Sequence, residues 1–69
     1  MIMILSPEEK RIMNTLYFAN KALTTKEISE RSEMAWQTAK NHLEQMYERG
    51  LLNRGKKGGA VYWWIRNVF

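Results

Sequence analysis

Apolar residues recur at helical spacing in three stretches of the chain, and this pattern predicts three helices. The helices are expected to span about 7–20, 25–32 and 35–49. The apolar residues that face inward are Ile12, Met13 and Leu16 in the first helix, Ile28 in the second, and Ala39, Leu43 and Met46 in the third. Ser6 and Thr24 are each followed three residues later by a glutamate. This is the spacing of a capping box, so both residues mark strong helix starts.

The pattern after the third helix is typical of a β-hairpin. Gly50 ends the helix, as a glycine just past a helix end often does. The predicted segments are the strand Leu51–Arg54, the turn Gly55–Gly59 and the strand Ala60–Ile65. Ala22-Leu23 indicates one or two further strand residues. We therefore expect a mostly α fold with two or three antiparallel strands, the hairpin spanning about 51–66.

The length of the chain allows one small domain, expected to span 1–69. A chain of this size buries only about 60% of its unfolded surface, so its core is small. The chain has no cysteine and a single histidine, His42. Disulfides, cysteine-based zinc sites and multi-histidine metal sites are therefore excluded, and we expect no cofactor. The sequence contains no nucleophile motif or phosphate-binding loop, so we do not expect an enzyme.

The apolar runs of the chain are too short for a membrane span. None approaches the ~18 residues that a transmembrane helix needs. The apolar opening, residues 1–5, lacks the charged region and cleavage site of a signal peptide. We therefore expect a cytoplasmic protein with no membrane partner.

The net charge of +4 is confined to the end of the chain. Residues 1–52 carry seven basic and seven acidic side chains, and these cancel. Residues 53–69 carry four basic side chains and no acidic one. A localised basic segment favours a polyanionic partner, most simply nucleic acid. The alternative interpretation is a charge that only keeps the chain soluble.

The segment LTTKEISERSEMAWQTAKNHLEQMYERGLLNR, residues 23–54, carries a set of residues at family-specific spacings. They are Leu23-Thr24, Glu27-Ile28, Glu30-Arg31, Met34, Thr38, Leu43, Met46 and Gly50-Leu51. In these residues the chain resembles the winged helix-turn-helix DNA-binding domains of small prokaryotic transcriptional regulators. With the first helix and the basic hairpin, the resemblance covers about residues 6–66. It implies three helices followed by a two- or three-stranded wing.

Four residues depart from the pattern of that family. Ser32 stands at a usual leucine, which predicts a weakly anchored second helix. Glu33 occupies the usual glycine of the turn, and Trp36 a position where a small or basic residue is usual. Ala35 replaces the usual capping serine or aspartate, so we expect the third helix to lack a side-chain cap worth about 1 kcal/mol.

The resemblance implies that the third helix enters the major groove of DNA with its N-terminal part. That part carries Trp36, Gln37, Lys40 and Asn41. Gln37 and Asn41 suit bidentate contact with adenine, and Lys40 suits guanine or phosphate. The alternative is a polar face that is merely solvated. Trp36 can stack on a sugar, touch a thymine methyl group or fold back on the second helix.

The hairpin and the start of the second helix carry the predicted phosphate contacts. Arg54, Lys56 and Lys57 lie beside flexible glycines, which suits contacts that position a protein without reading sequence. An arginine there can also enter a narrow minor groove. Thr25 and Lys26 can hold a phosphate with their backbone amides. For the hairpin, the alternative is a solubilising turn.

The last strand and the chain ends predict a further interface. Val61, Trp63 and Ile65 face one side of the strand, so Tyr62 and Trp64 face the other. A monomer seldom exposes such apolar surface, which is covered either by the N-terminal segment or by a second subunit. The predicted interface residues are Met1, Met3, Leu5, Tyr62, Trp64 and Phe69. We expect a homodimer that presents two third helices to successive major grooves.

The sequence therefore predicts a small transcriptional regulator that binds specific double-stranded DNA and has no evident small-molecule effector. A second interpretation is a protein interaction module within a transcription or replication assembly. A third is RNA or single-strand binding, with Trp36 and Tyr62 as stacking platforms. Salt separates the first two, because binding to DNA through basic residues weakens steeply with salt.

Overall fold

The computed structural model describes residues 4–66, which form three helices and a three-stranded sheet. The helices are α1 (Pro7–Ala19), α2 (Thr25–Arg31) and α3 (Trp36–Glu48). The strands are β1 (Leu23–Thr24), β2 (Leu52–Lys57) and β3 (Ala60–Ile65). The predicted fold class, mostly α with a small antiparallel sheet, is confirmed. None of these helices is both long and apolar enough to cross a membrane.

Both predicted capping boxes are formed. The Ser6 hydroxyl accepts a hydrogen bond from the Glu9 amide at 3.1 Å, and the Glu9 carboxylate accepts one from the Ser6 amide at 2.9 Å. Thr24 and Glu27 repeat this pair of bonds at the start of α2, at 3.1 and 2.9 Å. Ala35 precedes α3 without a side-chain cap, as predicted. The start of α3 therefore depends on packing more than on local hydrogen bonds.

The sheet has the order β1-β3-β2, and both pairings are antiparallel. The central strand β3 pairs Trp63 with Leu23 on one side and with Arg54 on the other. Two residues of β1 are enough to add the third strand, which joins the link between α1 and α2 to the hairpin. The short strand thus fixes where α2 begins relative to the sheet.

The predicted five-residue turn Gly55–Gly59 is wrong. Strand β2 continues through Lys57, and the chain reverses at Gly58-Gly59 alone, with φ of 58° and 82°. Two consecutive positive φ angles are what a two-residue hairpin turn with the right twist requires. Gly55 lies inside the strand, where it pairs with Tyr62, and the Trp64 indole crosses it, so a Cβ there would lie 3.2 Å from that ring.

The core lies between the three helices and the inner face of the sheet. Its buried members are Ile12, Leu16, Leu23, Ile28, Ala39, Leu43, Met46, Leu52 and Trp63. The inward stripe predicted for α3 is confirmed, and Val61 and Ile65 pack against the same core. The Trp63 indole N–H donates to the Thr25 hydroxyl at 2.8 Å. This bond satisfies a polar group that would otherwise be costly to bury.

Ser32, at the predicted weak anchor, is fully buried. Its hydroxyl lies 3.0 Å from the Thr15 hydroxyl, and its carbonyl accepts from the Arg11 guanidinium at 3.3 Å. A hydrogen-bonded pair therefore joins α1 to the end of α2 at the position where a weak anchor was expected. The small serine leaves room for this polar link, which a leucine would exclude.

Helices α2 and α3 end in the same motif but with different residues. After α2, Glu33 has a φ of 55°, and the next amide bonds back to the Ser29 carbonyl at 3.0 Å. After α3, Gly50 has a φ of 79°, and the next amide bonds back to the Met46 carbonyl at 2.9 Å. Both are Schellman ends, in which glycine is the preferred left-handed residue. Glu33 is therefore strained where Gly50 is not.

Glu33→Gly should stabilise the domain. An L-residue in the left-handed region costs about 1–2 kcal/mol, and the entropy of glycine offsets part of that gain, so we expect a rise of about 0.5–1 kcal/mol in the free energy of unfolding. Urea unfolding followed by circular dichroism measures it. The matched control is Glu30→Gly inside α2, which should lower stability by about 1 kcal/mol. A loss of stability in Glu33→Gly would contradict the strain.

A partly buried ion pair joins the start of α1 to the end of α3. The Arg49 guanidinium donates to the Glu9 carboxylate at 2.6 Å and to the Ile4 carbonyl at 3.4 Å. Burial raises the pKa of Glu9, but the Ser6 amide and the Arg49 guanidinium outweigh burial and hold this pKa below its usual value. The charged carboxylate is therefore part of the folded state.

Glu9→Gln should lower the free energy of unfolding by about 1–2 kcal/mol at pH 7, because glutamine keeps the capping bond but loses the ion pair, whose arginine is partly solvated. The folded pKa lies below the unfolded one, so this contribution is present at neutral pH. It is lost as the pH falls below about 4.3 and through the folded pKa. Urea unfolding at several pH values checks this, with the exposed Glu8→Gln as control. A difference independent of pH would exclude the ionised pair as the cause.

Candidate nucleic-acid interface

The first two turns of α3 present a polar face to solvent. Gln37 and Asn41 are exposed and Lys40 is half-buried, while Ala39 and Leu43 on the opposite side are fully buried. The three polar side chains lie on one side of the helix, as their spacing predicted. The helix is therefore held by its apolar face and leaves hydrogen-bonding groups outward.

Two of these side chains are paired with each other. The Gln37 amide donates to the Asn41 carbonyl oxygen at 3.0 Å. Gln37 then retains its own carbonyl oxygen as an acceptor, and Asn41 retains both N–H donors. The pair therefore offers donors and an acceptor side by side, held in one orientation before any ligand binds.

Trp36 lies beside this face at the first turn of α3. Its side chain is 48% exposed. The Lys40 ammonium lies 5.4 Å from the centre of the ring, within the range of a cation–π contact. The indole is therefore about half exposed, and both predicted positions of Trp36, on a ligand or against α2, stay predictions. It lies along α3 under a lysine that is itself a candidate contact.

Arg54 is not free in solution but stacks between α3 and the sheet. Its guanidinium carbon lies 4.3 Å from the centre of the Tyr47 ring and 5.8 Å from that of Trp63. The Tyr47 and Trp63 rings meet edge to face, 6.5 Å apart at 76°. Since Trp63 also bonds to Thr25, one cluster joins α2, α3 and the hairpin. This cluster is called the aromatic clamp below: Thr25, Tyr47, Arg54 and Trp63.

Sequence reasoning missed Tyr47. The residue lies at the edge of the apolar stripe of α3, four positions after Leu43, and its ring is 38% exposed. Such a position is compatible with a solvated tyrosine as much as with a contact. Only the register of β2 against β3, which puts Arg54 opposite Trp63, brings the guanidinium over the ring.

Lys56 and Lys57 extend to different sides of the hairpin. Both are exposed. Lys56 pairs with Val61, on the same side of the sheet as Arg54, whereas Lys57 pairs with Ala60 on the other side. Lys56 therefore lies on the face of the hairpin that continues towards α3, and Lys57 lies on the outer face of the sheet.

The start of α2 has fewer free groups for a phosphate contact than the sequence suggests. Thr25 is buried, and its hydroxyl already accepts the hydrogen bond from Trp63. The Thr24 hydroxyl caps the Glu27 amide. What remains for a phosphate is the backbone of Thr25 and the exposed side chain of Lys26. Phosphate contact by these two residues stays a prediction.

The predicted interface is only partly visible. Met1, Met3 and Phe69 lie outside the described residues. Leu5 and Tyr62 are half-buried, and Trp64 is exposed on the outer face of the sheet. Among the described residues, the aromatic side chains with the highest exposed fractions are those of Tyr17 and Phe18, at the end of α1. The sequence analysis did not predict them as part of an interface.

His42 lies on the inner flank of α3, where a packed or hydrogen-bonded histidine was expected. Its side chain is half-buried, and its Nδ1 atom has no hydrogen-bond partner within residues 4–66. The same residues contain no group of three or more acidic or histidine side chains placed to hold a metal ion.

Two solved structures share this arrangement of helices and sheet. One is the AntR antimony-specific transcriptional repressor, with a TM-score of 0.81 and 18% identity over 90% of this chain. The other is NadR in complex with 4-hydroxyphenylacetate, with a TM-score of 0.80 and 15% identity over 90% of this chain. The fold is a winged helix-turn-helix. In the nomenclature of this fold, α3 is called the recognition helix and the β2–β3 hairpin is called the wing.

This winged helix-turn-helix chain spans about half the length of the structures it matches, 55% of AntR and 45% of NadR. No family model matches the chain, and no curated protein matches it. At these identities the likeness shows the fold. The residues that contact a ligand must therefore be inferred from this chain's own surface.

The aromatic clamp should show measurable coupling between the recognition helix and the wing. A double-mutant cycle with Tyr47→Leu and Arg54→Met removes the cation–π contact but keeps apolar stems, and it should give a coupling of about 0.5–1 kcal/mol in urea unfolding. The same cycle with Lys56→Met in place of Arg54→Met is the control and should give about zero. Equal coupling in both cycles would rule out the stacking contact as its source.

Proposed function

We propose that the protein is a transcriptional regulator that binds specific double-stranded DNA sequences. The observation that carries the proposal is the polar face of the recognition helix, with Gln37, Lys40 and Asn41 outward on a winged helix-turn-helix. The solved structures of this fold that match the chain include a transcriptional repressor, which supports the same class of function. A regulator of this kind acts in the cytoplasm, where the DNA is.

The base contacts in this proposal come from the Gln37–Asn41 pair. A major groove presents adenine with an acceptor and a donor side by side, and amide side chains match that pattern. The bond between the two amides orients them in the free protein, so little side-chain entropy is lost on binding. Lys40 adds a guanine or phosphate contact, and Trp36 covers the sugar or a thymine methyl group next to it.

The wing supplies phosphate contacts that position the helix. Lys56 lies on the side of the sheet that continues towards the recognition helix, so it is the better placed of the two lysines. Arg54 acts through the aromatic clamp, since its guanidinium is already stacked on Tyr47. Thr25 and Lys26 add backbone and side-chain contacts at the start of α2. None of these contacts reads sequence directly.

A homodimer remains part of this proposal. Two recognition helices about 34–36 Å apart would meet successive major grooves on a pseudo-palindromic site. The described chain alone presents one such helix, which limits the number of base pairs that it can read. Sedimentation with and without DNA measures the stoichiometry directly.

Duplex binding should weaken steeply with salt. We expect the protein to bind a duplex of about 25 base pairs. The logarithm of the binding constant should fall linearly with the logarithm of the salt concentration, with a slope of about 0.9 per phosphate contact. Lys56→Ala should reduce this slope by about one contact, and Lys57→Ala by less, because they face different sides of the wing. Fluorescence anisotropy at several salt concentrations measures the slopes. Lys10→Ala, an exposed change on α1, is the control.

No binding at about 50 mM salt would overturn the proposed function, since non-specific affinity is strongest there. If binding is found, selection of sites from a random library follows. Asn41→Ala should then lose about 1–3 kcal/mol of discrimination at one position of the selected site while leaving the salt slope unchanged. An unchanged site preference would remove Asn41 from the reading face.

A further inference from the structure

Four aromatic side chains form a surface away from the recognition helix. They are called the aromatic belt here: Tyr17, Phe18, Tyr62 and Trp64. Tyr17 and Phe18 at the end of α1 are 69% and 80% exposed, and Trp64 is 37% exposed. The Tyr17 and Phe18 rings meet edge to face, with centres 5.5 Å apart. Burial of such surface would be strongly favourable.

The belt is grooved rather than flat. One groove of about 680 Å³ runs between Phe18 and Trp64, along the end of α1. A second, of about 650 Å³, lies beyond Trp64 and is bounded by the wing tip and Tyr62. Trp64 is thus a ridge between two hollows, and Ala22 lines both of them. A third hollow of about 350 Å³ continues on the other side of Phe18.

The ridge is held in place by the sheet. The Trp64 indole crosses Gly55, where a Cβ would lie 3.2 Å from the ring. Because Gly55 and Trp64 are diagonal neighbours on two paired strands, the glycine allows the indole to lie low across the sheet. The two grooves therefore exist before any partner binds, which lowers the entropy lost on binding.

The charges that line the three hollows have one sign. The basic residues are Arg11, Lys21, Arg31, Lys56 and Lys57, and no acidic residue lines any of the three. Glu27 lines none of these hollows, and its carboxylate accepts hydrogen bonds from Thr24, whose backbone amide is the main cause that lowers the pKa of Glu27. Grooves lined by both polar and apolar atoms, with only basic side chains among the charged residues that line them, therefore favour an acidic amphipathic ligand.

The belt and the recognition helix lie on different sides of the domain. Successive residues of β3 alternate, so Trp63 is buried towards the helices and Trp64 faces outward. Leu43 and Met46 of the recognition helix pack in the core on the Trp63 side. A partner on the belt would therefore leave Gln37 and Asn41 free.

We propose that the aromatic belt docks an acidic amphipathic peptide segment of a partner protein. Apolar side chains of the peptide enter the grooves on either side of Trp64, and its carboxylates meet Lys21 and Lys57. A second copy of this chain is disfavoured, because a two-fold contact would bring together two surfaces whose lining charges have the same sign. Single-stranded nucleic acid fits less well, since rings that meet edge to face offer less flat surface for stacked bases.

The peptide site does not include the proposed base contacts Gln37 and Asn41, but it shares the wing lysines Lys56 and Lys57 with the proposed phosphate contacts. It assigns Tyr62 and Trp64 to a partner rather than to a second subunit. The probe is a labelled amphipathic peptide of about 20 residues with leucine and phenylalanine at i, i+3, i+4 and i+7 and alternating glutamate and glutamine elsewhere, so that charge repulsion along the peptide is limited. A second peptide has lysine in place of every glutamate. Fluorescence anisotropy measures both against the full chain and its variants.

The acidic peptide should bind in the micromolar range and the basic peptide at least about tenfold more weakly. Phe18→Ser and Lys21→Glu should each weaken the acidic peptide about fivefold or more. Lys10→Glu is the matched control, an exposed lysine of α1 that lines none of the hollows, and should change binding less than about twofold. Asn41→Ala should leave peptide binding unchanged, which separates this site from the DNA face.

Three results would overturn the proposal. The first is no difference between the acidic and basic peptides, or no binding of either. The second is self-association in sedimentation that Phe18→Ser abolishes, which would show that the belt binds a second copy of the chain. The third is displacement of the peptide by oligothymidine that binds more tightly and loses affinity in Phe18→Ser, which would give the belt to single-stranded nucleic acid.

Discussion

The buried indole of Trp63 is the contact on which the rest of the domain depends. It lies on the central strand, pairs with β1 and β2, and is only 2% exposed. Its N–H holds Thr25 at the start of α2, and its ring meets Tyr47 of the recognition helix. In a domain this small, one large side chain supplies much of the core. The relative positions of α2, the recognition helix and the wing therefore follow from one residue.

The same strand also separates two surfaces. Its alternation sends Trp63 into the core and Trp64 out across Gly55. On the inner side, Arg54 is drawn onto Tyr47, so the wing is tied to the recognition helix. On the outer side, the aromatic side chains are ringed by cations. One face of the three-stranded sheet packs against the helices, and the other leaves Trp64 exposed.

In the helix-turn-helix region, two helix ends have residues that do not favour the local backbone conformation. The end of α2 has a glutamate in a left-handed conformation, and the start of α3 has no side-chain cap. A buried Ser32–Thr15 hydrogen bond and the Glu9–Arg49 ion pair join α1 to the ends of α2 and α3. Tertiary polar contacts thus stabilise two helices whose ends have weak local signals. Residues that do not favour their local conformation often lie near functional surfaces, where packing does not determine which residue is present.

Local patterns were sufficient to predict three helices, both capping boxes, the apolar stripe of the recognition helix and its polar face, because these depend on contacts within a few residues. The turn of the wing was predicted too long, since the pairing of Gly55 with Tyr62 and of Lys56 with Val61 extends the strand through residues that are typical of turns. Tyr47 and Phe18 were missed for a related reason. Whether an aromatic side chain near a helix end stacks, packs or stays exposed depends on the element brought next to it. Strand register and helix packing decide that, and both join residues far apart in the chain.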